Sequence, residues 1–251
     1  MAQKSSVPGF GLIVIGTEIL DGRVRDSHFE NTRRLLKERN HPLVYSMILR
    51  DDPALIQDKL RWAMGRPEPF FCCGGIGATP DDYTRQCAAE AAGVPLEFHA
   101  EGLEILHARF GAEATPSRLR MVEFPLGAEL IPNPVNRIPG FTVANGHFLP
   151  GFPSMAEPMA AWVLDNLYTP GEERITRTIV LPGAREGDLV TLMEEFTAVH
   201  PTLTFSSLPH FVTGGTEVDL GLTGRPKEVE AGLDDLTCRL ASRGQSWKPK
   251  N

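Results

Sequence analysis

The segment Gly74-Gly75-Ile76-Gly77-Ala78-Thr79-Pro80-Asp81-Asp82 collects the residue types that a phosphate site needs. Glycines let backbone amides approach an anion without Cβ atoms in the way. The run follows Phe70 to Cys73, a short apolar stretch that predicts a strand, and it opens a helical pattern from Asp81 to Ala92 closed by Gly93. A helix start adds free N–H groups and a favourable dipole for negative charge. Strand, glycine loop and helix start together predict a phosphate cradle at the carboxyl end of an α/β sheet. The loop lacks the Gly-Lys-Ser/Thr of a P-loop and is not a dinucleotide G-x-G-x-x-G. Thr79 and Asp82 also have capping-box spacing, so Asp82 has a purely structural use available to it.

Other residues could serve the same edge. Glu18 and Asp26 follow the first predicted strand and lie on the side of the glycine loop if the strands are parallel, which makes them candidates for metal or ligand contact. Asp51 and Asp52 read as a helix N-cap pair. Pro139-Gly140 and Pro150-Gly151 are turns that either end strands or touch a ligand. His28, His147 and His210 lack ligand spacing and are expected at the surface. The four cysteines, Cys72, Cys73, Cys87 and Cys238, form no C-x-x-C pair, and Cys72 and Cys73 are expected as small core residues.

Positioning these residues requires an ordered set of elements. Gly11 to Ile15 predicts a buried strand, and Ser27-His28-Phe29-Glu30 a capping box opening a helix with Phe29, Leu35 and Leu36 on one face. Leu43 to Leu49 is a second strand. Asp52-Pro53 starts a helix that Gly65 stops. A helix follows near Glu101 to Phe110. Asn145-Gly146 between two short apolar runs predicts a hairpin turn, and another helix covers about Ala156 to Leu167. This alternation predicts a three-layer α/β/α sandwich with a mostly parallel, mixed sheet over residues 8–168. Past Thr169-Pro170-Gly171, a strand, a helix, two strands and a helix predict a small α+β (βαββα) domain over 172–243.

Composition excludes several classes. In 251 residues, 25 basic side chains face 32 acidic ones, a net charge of −7 that does not suit a general nucleic-acid binder. The small domain has 7 basic and 12 acidic residues, so a structural or dimerisation role is expected there rather than RNA binding. No apolar stretch reaches the ~18 residues of a membrane span, and the N-terminus has no signal pattern, so a cytoplasmic protein is expected.

Taken together, the motifs resemble the molybdopterin-biosynthesis domain family of MogA, MoaB and MoeA type, most closely its branch formed by the N-terminal domain of the competence/damage-inducible protein CinA. Four segments carry the likeness: Ile15-Gly16-Thr17-Glu18-Ile19-Leu20-x-Gly22 followed by Asp26; Gly74 to Thr84; Asn133-Pro134-Val135 with Pro139-Gly140-Phe141; and Leu149-Pro150-Gly151-Phe152-Pro153-Ser154. The resemblance implies that Asp82 is catalytic and that Asp82, Glu18 and Asp26 hold a divalent metal (Mg, Mn or Co). It implies ligand contacts from Gly16, Thr17, Glu18, Gly74, Gly75, Gly77, Thr79, Pro80, Asp81, Asn133, Gly140, Pro150 and Gly151. The implied function is a metal-dependent nucleotide pyrophosphohydrolase of ADP-ribose type. The alternatives are a molybdopterin-binding protein without hydrolase activity and a catalytically silent relative. A homo-oligomer, dimer or trimer, is implied, and the C-terminal amidase domain of CinA is expected to be absent.

The chain departs from that pattern in its large domain. Asn136-Arg137-Ile138 replaces Gly-Thr-Ala, a bulkier loop in which Arg137 offers a phosphate contact. His28 replaces an asparagine, and Met155 replaces a glutamate, with Glu157 two residues later.

Overall fold

A computed structural model describes residues 4–213 and 215–250. The chain divides after Gly171 into two compact units. In the first, β1 (Phe10–Ile15), α1 (Thr17–Leu20), α2 (His28–Glu38), β2 (Leu43–Leu49), α3 (Pro53–Met64), β3 (Phe70–Cys73) and α4 (Thr84–Ala92) come first. They are followed by β4 (Leu96–Phe98), α5 (Ala100–Phe110), α6 (Pro116–Leu119), β5 (Glu123–Pro125), β6 (Glu129–Ile131), β7 (Gly140–Val143), β8 (Gly146–Leu149) and α7 (Pro153–Leu167).

Six strands form one mixed sheet in the order β2-β1-β3-β8-β7-β6. The run β2-β1-β3-β8 is parallel, whereas β7 is antiparallel to both β8 and β6. All residues of β1 and β3 are buried, which is what a continuous apolar run predicts for strands covered on both faces. Their side chains alternate between two cores. Ile13, Ile15, Phe70 and Cys72 pack with Ile56 and Leu60 of α3 and Ala88 of α4, while Leu12, Val14, Phe71 and Cys73 pack with Leu36 of α2 and Met159 and Val163 of α7. The unit is therefore a three-layer α/β/α sandwich. Each fully buried leucine such as Leu36 or Leu60 contributes about 1.5–3 kcal/mol relative to exposure.

Local chemistry sets the ends of these elements. Asp52 caps α3, accepting from the N–H groups of Ala54 (2.9 Å) and Leu55 (3.2 Å). The capping box predicted at Ser27 is not made: the Ser27 side chain bonds nothing at the helix start, and Asp26 accepts from His28 N (2.9 Å) and Phe29 N (3.1 Å) instead. Phe29 is exposed, and His28 and Thr32 join Leu35 and Leu36 on the buried face. The β7–β8 turn is centred on Ala144-Asn145 rather than on Asn145-Gly146, with Val143 opposite Gly146 and Ala144 at φ 51°. Its register follows from Asn145, whose amide donates to Arg66 O (2.9 Å) and Glu68 O (3.2 Å) beyond the end of α3.

The second unit comprises β9 (Ile175–Pro182), α8 (Glu186–Val199), β10 (Thr204–Val212), β11 (Gly215–Gly224), α9 (Pro226–Ser242) and β12 (Lys248–Pro249). Its sheet, ordered β10-β11-β9-β12, is antiparallel and runs past Arg243. Leu181, Val218 and Leu220 of the sheet pack against Leu192 and Phe196 of α8 and Leu236 of α9.

Candidate functional site

Four parallel strands end on one edge of the large sheet, and each delivers a loop there: Gly16 after β1, Asp51 after β2, Gly74-Gly75 after β3 and Pro150-Gly151 after β8. The antiparallel β7 begins at that edge, so Ile138 and Pro139 reach it, and β6 ends there just before Asn133. These loops surround a cavity of about 470 Å³. An open α/β sheet binds ligands at this place because only the carboxyl edge gathers so many loops.

The glycine loop is fixed from below. Gly74 N–H donates to Leu149 O (3.0 Å), and Thr84, buried at the start of α4, donates its amide to Gly75 O (3.0 Å) and its hydroxyl to Gly74 O (2.9 Å). Gly74 has φ 107°, and a Cβ there would meet Ile15 O at 2.2 Å; at Gly75, with φ 67°, it would meet the Thr84 hydroxyl at 2.2 Å. Among the described residues, the N–H groups of Gly75, Ile76, Gly77 and Ala78 have no hydrogen-bond partner. All four residues line the cavity, and consecutive free amides are the groups from which anion-binding concavities are built.

Helix α4 starts at Thr84, three residues later than expected, so the cradle rests on loop amides and Asp81 and Asp82 lie in a turn ahead of the helix. Asp82 Oδ2 accepts from Thr79 N (2.8 Å) and shares the single Thr79 hydroxyl proton with Asp81, while Asp82 N donates to Thr79 O (3.1 Å). The capping-box spacing therefore closes a turn on itself. Asp82 Oδ1 accepts no hydrogen bond among the described residues, and neither oxygen of Glu18 does. The Thr79 hydroxyl (2.6 Å) holds the Asp81 carboxyl below the usual carboxylate range.

Gly16, Glu18, Gly74, Gly75, Gly77, Thr79, Asp81, Asp82, Asn133, Pro150 and Gly151 all line the cavity. Thr17, Pro80, Gly140 and Asp26 do not. Thr17 clasps Asp51, its amide donating to Oδ2 (2.7 Å) and its hydroxyl accepting from Asp51 N (3.0 Å). Gly140 is a packing position, since a Cβ there would meet Phe148 O at 2.4 Å. Asp26, expected as a metal ligand, uses both carboxylate oxygens to cap α2. Arg137 is exposed, has φ 64° and lies outside the lining.

One residue that braces the site, Arg85, carried no sequence signal, and His28 and His147 lie elsewhere than their spacing suggests. Arg85, 2% exposed, donates to Gly77 O (2.9 Å), Glu123 O (3.1 Å) and Arg120 O, tying the glycine loop to the start of β5 and the turn before it. Burial pulls its pKa down and Glu123 opposes that shift. His28, expected at the surface, is buried and bonds Gly151 O (3.1 Å), so α2 anchors the Pro150-Gly151 loop. His147 is also buried, between Thr142 (2.9 Å) and Tyr168 (2.7 Å), and desolvation pushes its pKa down to about 3. His210 belongs to the second unit, where it pairs with the buried Asp219 (2.9 Å). Cys72 and Cys73 are core residues as expected, and burial pushes the Cys73 thiol up to about 12.

The charge of the cavity is one-sided. Among the described residues its lining includes Glu18, Asp51, Asp81 and Asp82 and no lysine or arginine. No group of three or more His, Cys, Asp or Glu side chains among the described residues is placed to hold a metal ion. A Mg²⁺-type ion needs only one or two carboxylates when phosphate oxygens and waters complete its shell, and both Glu18 and Asp82 line the cavity. Among the described residues no helix is long and apolar enough to cross a membrane.

Comparison with known proteins agrees with the fold. A protein from Caldivirga maquilingensis is 27% identical over 95% of this chain and 98% of its own length. A CinA-like protein from Sulfurihydrogenibium sp. is 32% identical over 73% of this chain, which spans about half (48%) of that relative. The crystal structure of the protein CinA from Thermoplasma acidophilum superposes with a TM-score of 0.58 at 26% identity, covering 64% of this chain and 99% of that one. A family model described as a probable molybdopterin binding domain matches residues 11–169, the unit that holds the cavity, and the chain belongs to that family.

Proposed function

We propose that the large unit binds a phosphorylated nucleotide or pterin in this cavity and hydrolyses the pyrophosphate bond of an ADP-ribose-type nucleotide with a divalent metal ion. One observation carries the reading: the N–H groups of Gly75 to Ala78 have no partner among the described residues, while the charged side chains that line the cavity are all carboxylates. A phosphate placed there meets good hydrogen-bond donors and an unfavourable field, and a divalent ion removes the conflict. When bound, such an ion would neutralise phosphate charge and would be held by Asp82 and Glu18. Asp82 is the catalytic group in this reading. Thr79 fixes one of its oxygens, which leaves the other to hold the ion beside the phosphate or, alternatively, to orient a water for in-line attack on phosphorus.

The test is incubation with ADP-ribose and Mg²⁺, Mn²⁺ or Co²⁺. Release of AMP and ribose 5-phosphate is expected, and Asp82→Asn is expected to lower kcat by about 100-fold or more. Intact ADP-ribose with all three metals would overturn the hydrolase. A second reading, molybdopterin binding without turnover, draws on the description of the matching family. Saturable molybdopterin binding combined with no hydrolysis would favour it.

A further inference from the structure

The sheet of the second unit has two edges that are finished differently. At one edge β12 is only two residues long, Lys248 and Pro249, with Lys248 on Glu217 (3.5 Å) and the following Lys250 on Asp219. A short edge with lysines and a proline resists pairing with another strand. At the other edge β10 has nine residues and holds no Asp, Glu, Lys or Arg. Its Leu208 and Val212 are exposed, and Phe211 is 94% exposed and belongs to none of the apolar cores. A long, uncharged edge of this kind is a template for another strand.

The ladder fixes which groups that edge offers. Gly183 N donates to Thr216 O (2.8 Å), so even-numbered residues of β11 turn their main-chain groups towards β9 and odd-numbered ones towards β10. Asp219 and Gly221 accordingly bond across to Leu208 and Ser206. Phe205, Ser207, Pro209 and Phe211 therefore turn their main-chain groups out to the free edge. Side chains alternate as well. Phe205 packs on the helix-side core beside Phe196 (5.5 Å), and Ser207, Pro209 and Phe211 share its face, while Ser206, Leu208 and His210 lie on the open face.

We infer that β10 pairs antiparallel with β10 of a second copy of this chain, about a two-fold axis through Leu208, so that two four-stranded sheets join into one. A second copy fits because β10 is complementary to itself, as a two-fold interface requires. About this axis Phe205 lies opposite Phe211 of the other copy, and Ser207 lies opposite Pro209. The outward N–H groups of Phe205, Ser207 and Phe211 each meet a carbonyl, and Pro209 has no N–H to leave unpaired. The neighbouring registers put Phe211 opposite Leu203 or Phe205 opposite Thr213, both outside β10. Phe211, solvated in one copy, closes over Phe205 at the rim of the other copy's core, and Leu208 meets its own mate on the open face. Charge agrees with this choice. Residues 172–243 hold 12 acidic against 7 basic side chains, so two copies repel, and β10 is an uncharged strip along which they can meet. The pairing concerns the second unit alone and stands whatever the cavity of the large unit binds.

Two measurements on the full chain test the pairing and its register. Sedimentation velocity over a concentration series is expected to show a monomer–dimer equilibrium for wild type. Phe211→Lys, a change at a solvated side chain, is expected to raise its dissociation constant at least about tenfold, with an unchanged circular dichroism spectrum showing that the fold is kept. The register is read by cross-linking. Leu208 and its mate form a pair without main-chain bonds between them, where Cα atoms lie about 4.5 Å apart, within reach of a disulfide. With Cys238→Ser removing the exposed thiol, Leu208→Cys is expected to cross-link to twice the chain's mass on oxidation with diamide. Ser206→Cys, offset from its own mate along the strand, is expected to stay single. A wild type that sediments as a monomer at every concentration overturns the inference. So does an assembly that Phe211→Lys leaves intact, or cross-linking of Ser206→Cys in preference to Leu208→Cys.

Discussion

Gly74→Ala isolates the geometry on which the cradle depends. At φ 107° an L side chain is strained, a backbone cost of about 1–3 kcal/mol. The larger difficulty is space, because the new Cβ would lie 2.2 Å from Ile15 O, a backbone atom of the neighbouring strand. Ordinary contact begins near 3.4 Å, so β1 and β3 must separate by about an ångström at their carboxyl ends, where Val14 and Cys73 are paired. Forced repacking of this kind costs about 1–3 kcal/mol, and the sum predicts a loss of about 2–6 kcal/mol. Gly93→Ala is the control: it also has positive φ (71°), yet nothing lies within 4 Å of its Cβ, so about 1 kcal/mol is expected. Urea unfolding of both variants against wild type reads the difference, and AMP titration reads the cradle. Gly74→Ala is expected to lose stability and binding, Gly93→Ala only a little stability. Equal losses within about 0.5 kcal/mol would refute the argument from close approach.

Asp26→Ala removes a helix cap and is expected to cost about 1 kcal/mol in urea unfolding, while Mn²⁺ affinity in the presence of AMP stays unchanged; a drop in that affinity would restore Asp26 as a metal ligand. His147 gives a pH prediction. Its folded pKa of about 3 lies below the ordinary ~6.5, so the unfolded chain takes up the proton first. Its contribution to stability is therefore complete above about pH 6.5 and is lost as pH falls towards 3, at up to ~1.4 kcal/mol per pH unit. His147→Gln is expected to flatten that slope between pH 6 and pH 4, and an unchanged slope would contradict the assignment.

The parallel core was legible because β1 and β3 are short apolar runs ending in glycine, and strands buried on both faces need that pattern. The cradle was legible because glycine at Gly74 and Gly75 answers a steric demand that shows in the residue type. What sequence spacing misjudged is equally specific. Thr79 and Asp82 have the spacing of a helix cap, but the turn they close stands alone, since α4 begins only at Thr84. Asp26 and Ser27 are both competent caps, and only backbone geometry chooses between neighbours. The burial of Arg85, His28 and His147 depends on which distant carbonyls and hydroxyls the fold brings near: Gly77 and Arg120, Gly151, Tyr168. Local periodicity carries no record of such partners. Strands β4, β5 and β6 have three residues each, too few for an alternation to stand out.

The central claim is that phosphate sits on the free amides of Gly75 to Ala78, and amide NMR of ¹⁵N-labelled protein titrated with ADP-ribose and Mg²⁺ measures it directly. Saturable shifts of the Gly75, Ile76, Gly77 and Ala78 resonances are expected, with the β9–β12 amides of the second unit unmoved. Ligand-induced shifts that leave these four amides in place would contradict it.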